Sequence, residues 1–366
     1  MRITYVSFAM SIVWGSFAVV GIHFCRKKPF FIRKLGVRKL LLLYFLSVVR
    51  MMVPCEFPFT RAFLPEGFWV GIGKNAYTQE AEAALPLVFS VLALIWAGVS
   101  VVLLVRFGRR YMKSMQECLG YKVCEGARCQ MVFRKVLNEC GGQMEISVRQ
   151  SRHIRVPMGI GILKKSILLP EGSYSDSELY YILLHEYTHF RNRDLLVKSL
   201  VSVFCCIYWW NPAVYLLKKD LPHLLEIQCD LDVTEGMQDR DKADYLRAIV
   251  SVLKNAGAKR KEKTFYGAAM LVAGTCVAET VERFRLVSME PAGKEKSRLL
   301  AASWLPALLL LFYLSYAFAA WPGYGSPGKE AGAGFSGEDY PAAEADSFVD
   351  IMRNTESTHA YLRGRR

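Results

Sequence analysis

The sequence predicts an α-helical integral membrane protein of about four transmembrane helices, with an α+β domain between the third and the fourth. Three observations support this fold class: 52% of the 366 residues are hydrophobic, these residues cluster in long runs, and Lys and Arg flank the runs. A helix needs about 20 apolar residues to cross the hydrocarbon core of a bilayer. The predicted spans lie at about 3–24, 40–54, 83–105 and 298–320.

The four runs differ in how well they match a spanning helix. Residues 3–24 and 83–105 contain no Asp, Glu, Lys or Arg, whereas the second run is short and contains Arg50. A charged side chain inside a bilayer is costly, so Arg50 is expected either to pair within the helix bundle or to reach the interface. A cleaved signal peptide is the alternative for the first run, but no small-residue cleavage site follows it.

Basic residues predict the orientation, because Lys and Arg concentrate in cytoplasmic loops. The loop between the first two runs holds seven of them and no acid, whereas residues 55–82 hold two against four acids. We therefore expect a multi-pass protein of the cell membrane, with residues 106–297 in the cytoplasm. Because the basic residues that flank the spans account for part of the net charge of +14, the lipid bilayer is the expected partner and no direct contact with nucleic acid is predicted.

The first half of the cytoplasmic segment predicts strands followed by a helix. Residues 144–150 alternate as a strand does, and residues 156–170 indicate two short strands separated by glycines. Ser175 or Ser177 is the expected N-cap of a helix over about 176–192. An extended peptide substrate could pair with the strand in "GILKKSILLP" if that strand lies at the sheet edge; the alternative is that it fills the sheet.

The following segments are more apolar. Residues 195–217 are interrupted at Asn211-Pro212, and we expect them to lie against the membrane or the other spans rather than to form a fifth span. A further helix over 221–236 is expected to begin near Pro222. Residues 321–366 are rich in Gly, Ala, Pro and acids and are expected to form a short, disordered extracytoplasmic tail.

The chemistry is concentrated in "HEYTH", residues 185–189. Residues four apart on a helix point in the same direction, so His185 and His189 can share one metal ion. Zinc lowers the pKa of a bound water towards about 7, and Glu186 can then act as the general base that activates this water against a peptide carbonyl. The pattern is short enough to occur by chance, and a solvated helix face is the alternative.

A catalytic zinc site needs a third protein ligand and one open position. No histidine lies between His189 and His223 in the sequence. Glu226 is the favoured third ligand, and Asp230, one helical turn later, is placed to accept a hydrogen bond from the second N–H of a ligand imidazole. His223 is the competing ligand.

Four segments in this order resemble the BlaR/MecR-type antirepressor metallopeptidases: "GILKKSILLP", "LLHEYTHFRNRD", "WWNPAVYLL" and "EIQCD". The resemblance covers about residues 1–320. It implies a gluzincin-like zinc metallopeptidase domain, in which His185, His189 and Glu226 bind zinc and Glu186 is the general base. Family members with the complete architecture sense β-lactams through a penicillin-binding domain after the last span, and their signalling ends in cleavage of a cytoplasmic DNA-binding repressor.

The chain departs from that architecture after Ala320. The 46 residues that follow are too few for a penicillin-binding domain, and their one Ser-x-x-Lys match, Ser326 to Lys329, lies in a Pro/Gly-rich stretch. We therefore expect a family member that lacks the β-lactam sensor.

The resemblance implies a membrane zinc endopeptidase that transmits a signal by cleaving a cytoplasmic protein, with a winged-helix repressor as the expected substrate. Two alternatives stay open: a constitutive membrane metalloprotease for protein processing or turnover, and a non-catalytic membrane receptor or scaffold. The oligomeric state is also open, with a symmetric homodimer as the default for a signalling membrane protein.

Overall fold

The architecture is taken from a computed structural model of the chain. The structure describes residues 5–27, 32, 35–54, 61–62, 79–124, 126–142, 144–172, 174–258, 277–288, 310, 312–316 and 318–319. Most of the predicted fourth span, most of the loop over 55–82 and all of the predicted tail lie outside the described residues.

Nine helices with defined bounds account for most of the described residues. In chain order, α1 to α9 are Tyr5–Arg26, Val37–Met52, Gln79–Leu119, Ala127–Glu139, Asp176–Arg191, Asp194–Ile207, Pro212–Thr234, Asp239–Ala258 and Val277–Ser288.

Within the described residues, six short strands form two small sheets. In chain order, β1 to β6 are Arg61–Ala62, Lys122–Val123, Ile146–Ser151, Met158–Ile160, Lys165–Pro170 and Phe318–Ala319. One sheet pairs β1 with β6 in parallel, and the other has the order β2-β3-β5-β4. In this second sheet β3 and β5 are parallel, and the outer pairs are antiparallel.

The strand predictions are confirmed, and of the two alternatives for the strand in "GILKKSILLP" the structure has the one that fills the sheet. The segment "GILKKSILLP" supplies β5, which is internal, and β4 at Met158–Ile160 forms the edge. The reason is burial: Ile167, Leu168 and Leu169 of β5 are all fully buried, so this strand needs neighbours on both sides.

Two described helices are long and apolar enough to cross a membrane, over Phe8–Arg26 and Leu87–Leu119. The second belongs to α3, whose apolar side chains are largely exposed, such as Leu94 at 73%. A continuous exposed apolar helix surface is one that lipid can cover. Helix α3 continues without a break from the third predicted span, 83–105, into the segment expected to be cytoplasmic and ends at Leu119.

The hydrophobic interior is divided into two main clusters. One joins the sheet to α4, α5 and α8, and its most buried members include Val136, Ile167 and Leu183. The other joins α1 and α2 to α6 and the first part of α7. The segment over 195–217 therefore packs against the helices of the predicted spans. This is one of the two placements expected for it from the sequence.

Helix α7 belongs to both clusters and differs from the prediction. Asn211 caps it and Pro212 is its first residue, so it begins well before Pro222, which lies inside the helix. Leu221 and Leu224 pack in the cluster with α1, whereas Cys229 and Val233 pack in the cluster with α5. This packing on both sides compensates for the hydrogen bond that a proline removes from a helix.

Candidate metal centre

Helix α5 holds the His-Glu-x-x-His segment in one rigid element. Ser175 caps the helix: its hydroxyl accepts from the N–H of Glu178 at 3.2 Å, and the Ser175 N–H donates to the Glu178 carboxylate at 2.8 Å. This reciprocal capping box satisfies N–H groups that the first helical turn would otherwise leave unpaired. Because His185 and His189 are four residues apart on this helix, their side chains project from the same face, and their Nε2 atoms are 3.1 Å apart.

The turn after α5 brings a carboxylate back to His189. Arg193 adopts the left-handed conformation with φ 60°, which reverses the chain so that α6 begins at once with Asp194. The Asp194 Oδ2 atom lies 2.6 Å from Nδ1 of His189, and both residues are buried. Because a carboxylate only accepts hydrogen bonds, Nδ1 carries the proton and the lone pair of Nε2 faces the site.

His185 is oriented by a tyrosine. The Tyr245 hydroxyl lies 2.8 Å from Nδ1 of His185 and donates to Oδ1 of Asp230 at 2.6 Å. The direct distance from Asp230 Oδ1 to His185 Nδ1 is 3.4 Å, so the contact expected between them runs through Tyr245. Arg283 of α9 fixes Asp230 in turn, with donor distances of 2.6 and 2.8 Å to its two oxygens.

Glu226 of α7 faces both imidazoles. Its Oε2 is 3.5 Å from Nε2 of His185, and its Oε1 is 3.5 Å from Nε2 of His189. Ligand atoms in a tetrahedral zinc site lie about 3.3 Å apart, given metal–ligand distances of about 2.0–2.1 Å. Two Nε2 atoms and a carboxylate at 3.1–3.5 Å from one another therefore fit a tetrahedral metal ion with one position left open.

The surrounding charges make the centre selective for a cation. Burial opposes the imidazolium form of His185, yet Cys229 and Glu226 outweigh burial and raise its pKa to about 10. Burial also opposes ionisation of Glu226, yet His189 and Lys198 hold its pKa well below the usual value. The pocket thus favours positive charge, which a divalent ion can supply in place of the protons.

Cys229 is a second candidate for the third ligand. Its Sγ forms a possible metal group with His185 and His189, in which all ligand atoms lie within 4.8 Å of one another. However, Sγ lies 3.6 Å from Nδ1 of His185, the nitrogen on the far side of the ring from Glu226. Because the two Nε2 atoms converge on the carboxylate, we favour Glu226.

Glu186 is next to the candidate metal ligands but belongs to a different face of α5. Its side chain is mostly buried, and within the described residues its carboxylate makes no hydrogen bond that would hold it away from a substrate. It lies beside Gly159 of the edge strand β4, where a Cβ would be 3.5 Å from Glu186 Oε2 and 3.0 Å from the Phe190 ring. The glycine thus gives room chiefly to the Phe190 ring, and the Glu186 carboxylate lies at ordinary contact distance from this strand.

His223 lies away from the two histidines of α5. It is buried, and its Nε2 is 3.0 Å from Oε2 of Glu282 in α9. The structure therefore brings together His185, His189, Glu226 and Asp230, with Glu186 adjacent, and places the competing ligand elsewhere.

Comparison with known proteins identifies the family. The family model described as "BlaR1 peptidase M56" matches residues 72–275, more than half of the chain. The chain belongs to this family. The resemblance to BlaR/MecR-type metallopeptidases is thereby confirmed, and the protein is a membrane-associated member of a metallopeptidase family.

Curated relatives match the same part of the chain. The methicillin resistance mecR1 protein of Staphylococcus aureus is 33% identical over 129 residues, which are 32% of this chain and 22% of the relative. The regulatory protein BlaR1 of Bacillus licheniformis is 26% identical over 140 residues, or 38% and 23%. BlaR1 of Staphylococcus aureus is 30% identical over 113 residues, or 30% and 19%. Each match thus spans about a fifth of the relative's length.

Sequence patterns did not reveal three side chains of the centre. Tyr245, Arg283 and Lys198 come from three different helices, and no fixed spacing links any of them to the His-Glu-x-x-His segment. The only local indication is that Tyr245 lies on the buried face of the amphipathic helix α8. A buried tyrosine hydroxyl needs a hydrogen-bond partner.

Proposed function

We propose that this protein is a zinc endopeptidase of the cell membrane that transmits a signal by cleaving a cytoplasmic protein, with a winged-helix repressor as the substrate. The observation that carries the proposal is the spacing of His185 Nε2, His189 Nε2 and the Glu226 carboxylate, which fits a tetrahedral ion. Family membership and the regulatory names of the relatives support the signalling role.

In this proposal His185, His189 and Glu226 hold the zinc ion, which supplies Lewis-acid activation of a water and of the peptide carbonyl. Asp194 and Tyr245 keep the two imidazoles in the tautomer that presents Nε2. Glu186 accepts the proton of the attacking water and can pass it to the leaving amine.

The edge strand supports a peptide substrate. No described strand pairs with the outer side of β4, and Gly159 of this strand lies beside Glu186. An extended peptide that adds to the sheet at β4 would run past the general base, and its backbone N–H and C=O groups would pair with those of the strand.

The test is cleavage by the purified, full-length chain in detergent, with a winged-helix repressor from the same organism as the candidate substrate and mass spectrometry of the fragments. Glu186→Gln should retain about one zinc per chain and lose cleavage by about 10²–10⁴-fold, the usual contribution of a general base. Glu235→Gln, the same change at an exposed position, is the matched control.

Two results would contradict the proposal. A wild-type chain without bound zinc would show that the three residues do not form a zinc site. Undiminished cleavage by Glu186→Gln would show that Glu186 is not the general base. Zinc-dependent cleavage of other membrane or cytoplasmic proteins, with the repressor left intact, would instead favour a role in protein turnover.

A further inference from the structure

A buried ionic cluster lies on the first half of α7, away from the candidate metal centre. Asp220 is completely buried. Tyr44 donates to its Oδ2 at 2.6 Å, Arg26 Nη2 donates to its Oδ1 at 2.7 Å, and His23 Nδ1 lies 2.6 Å from Oδ2. Neither the proposed chemistry nor the packing of apolar side chains requires this carboxylate.

The cluster connects three helices. His23 and Arg26 are near the end of α1, which contains the first candidate membrane span, and Tyr44 lies in the middle of α2. The neighbouring interior is apolar and includes Leu40, Leu217 and Leu221. Replacing a buried ion pair by apolar residues is often neutral for stability. The hydrogen bonds of the pair, in contrast, fix the orientation of the helices that carry its side chains. The cluster therefore defines how α7 is oriented against α1 and α2.

The same helix continues to the metal centre. Glu226 follows Asp220 by six residues, which is about 9 Å along a helix axis. Pro222 lies between them and has no N–H to donate to the preceding turn, but Leu221 and Leu224 on either side of it pack in the same cluster with α1 and α2, so packing holds the two halves of α7 together. The Glu226 carboxylate lies 3.3 Å from Lys198 Nζ and 3.5 Å from Arg283 Nη1. Its backbone is held by α7, which Asp220 ties to α1 and α2 on one side and Asp230 ties to Arg283 of α9 on the other.

We propose that Asp220 is a positioning residue for the metal centre, through which the membrane helices α1 and α2 control the placement of Glu226. A displacement of α1 against α2 would move the first half of α7 and change the distance from Glu226 to His185 and His189. The inference rests on the proposed function and adds to it a route by which a signal in the membrane reaches the peptidase site.

The test uses the full-length chain in lipid nanodiscs and measures zinc affinity by competition with a chromogenic chelator. Arg26→Gln and Tyr44→Phe change α1 and α2, far from the metal ligands in sequence, and Asp220→Asn changes the shared carboxylate. Each should weaken zinc binding by about threefold to thirtyfold, the range expected for distant coupling. Lys27→Gln is the matched control, because it removes a positive charge from the exposed neighbour of Arg26.

A double-mutant cycle separates this route from independent effects. Arg26→Gln combined with Asp220→Asn should bind zinc no more weakly than the worse single variant, because both disrupt one contact. Thermal unfolding of the same samples supplies the structural readout. Tyr44→Phe, which loses only a hydroxyl, keeps the test informative if the charged variants fail to fold.

The outcomes are distinct. Variants that unfold at lower temperature but bind zinc with wild-type affinity would overturn the inference and leave Asp220 a structural residue. A wild-type chain that binds no zinc would overturn the proposed function together with this inference, whereas normal wild-type binding with unchanged variants would overturn the inference alone.

Discussion

At the scale of single residues, Tyr245 determines which nitrogen of His185 can bind a metal. A phenol has one proton to donate, and Asp230 can only accept, so the hydroxyl proton goes to Asp230 Oδ1 at 2.6 Å. The oxygen lone pair then accepts from Nδ1–H of His185 at 2.8 Å. With the proton on Nδ1, the lone pair of Nε2 is directed towards Glu226.

Tyr245→Phe should weaken zinc binding by about 10–100-fold, the usual effect of removing a partner that orients a ligand imidazole. The packing of the ring is retained, so the thermal stability of the metal-free chain should change much less than the affinity. Equilibrium dialysis against buffered zinc measures the effect. Tyr181→Phe, which removes a hydroxyl from the adjacent ring in an edge-to-face pair with Tyr245, is the control. Equal affinity in the two variants would exclude the orienting role.

At the scale of secondary-structure elements, α5 depends on its capping box. A hydrogen bond from the Ser175 N–H is the main reason why the pKa of Glu178 is lowered from its usual value. A carboxylate with a lowered pKa contributes stability above its unfolded pKa, near 4.3. That contribution is lost as the pH falls through the lower, folded pKa.

Ser175→Ala should lower the free energy of unfolding by about 1 kcal/mol at pH 7, the usual cost of removing an N-cap. The free energy of unfolding of the wild type should exceed that of Glu178→Gln most near neutral pH. This difference in free energy should shrink as the pH falls below about 4.3. Chemical unfolding at several pH values measures both effects. Ser177→Ala is the control, because Ser177 does not accept the helix N–H bond, and equal destabilisation by the two serine variants would contradict the assignment.

Helix α7 shows why element boundaries were harder to predict than element types. The residue pattern indicated a helix near Pro222, but not that it begins at Pro212 and continues through the second proline. Locally, proline disfavours a helix interior. Packing of Leu217, Leu221 and Leu224 against α1 and α2 outweighs this preference, and such packing involves residues distant in sequence.

At the scale of the whole molecule, the proposed orientation places the peptidase segment in the cytoplasm. The turn between β4 and β5 offers a protease site, because Lys164 is exposed and the neighbouring Leu163 is 94% exposed. Trypsin should cleave at Lys164 in inverted membrane vesicles and not in intact spheroplasts. Detergent-solubilised protein, cleaved in both preparations, is the control. Cleavage in intact spheroplasts would contradict the proposed topology. The homodimer remains a separate prediction, which this experiment does not test.

Local patterns in the sequence determined the long apolar segments, the strands before α5 and the paired histidines of one helical face, and they narrowed the cap of α5 to Ser175 or Ser177. These features depend on residues within a few positions of one another, so periodicity and spacing reveal them. The resemblance of four ordered segments also determined the family, which the family model confirms.

Only the tertiary structure decided which side chains complete the site. It placed β4 rather than β5 at the sheet edge, put Tyr245 between His185 and Asp230, and anchored α7 to α1 through Asp220. These contacts join residues that are far apart in sequence. The physical reason is that burial, not local preference, selects them: a buried polar group must find a partner wherever the packing of the helices provides one.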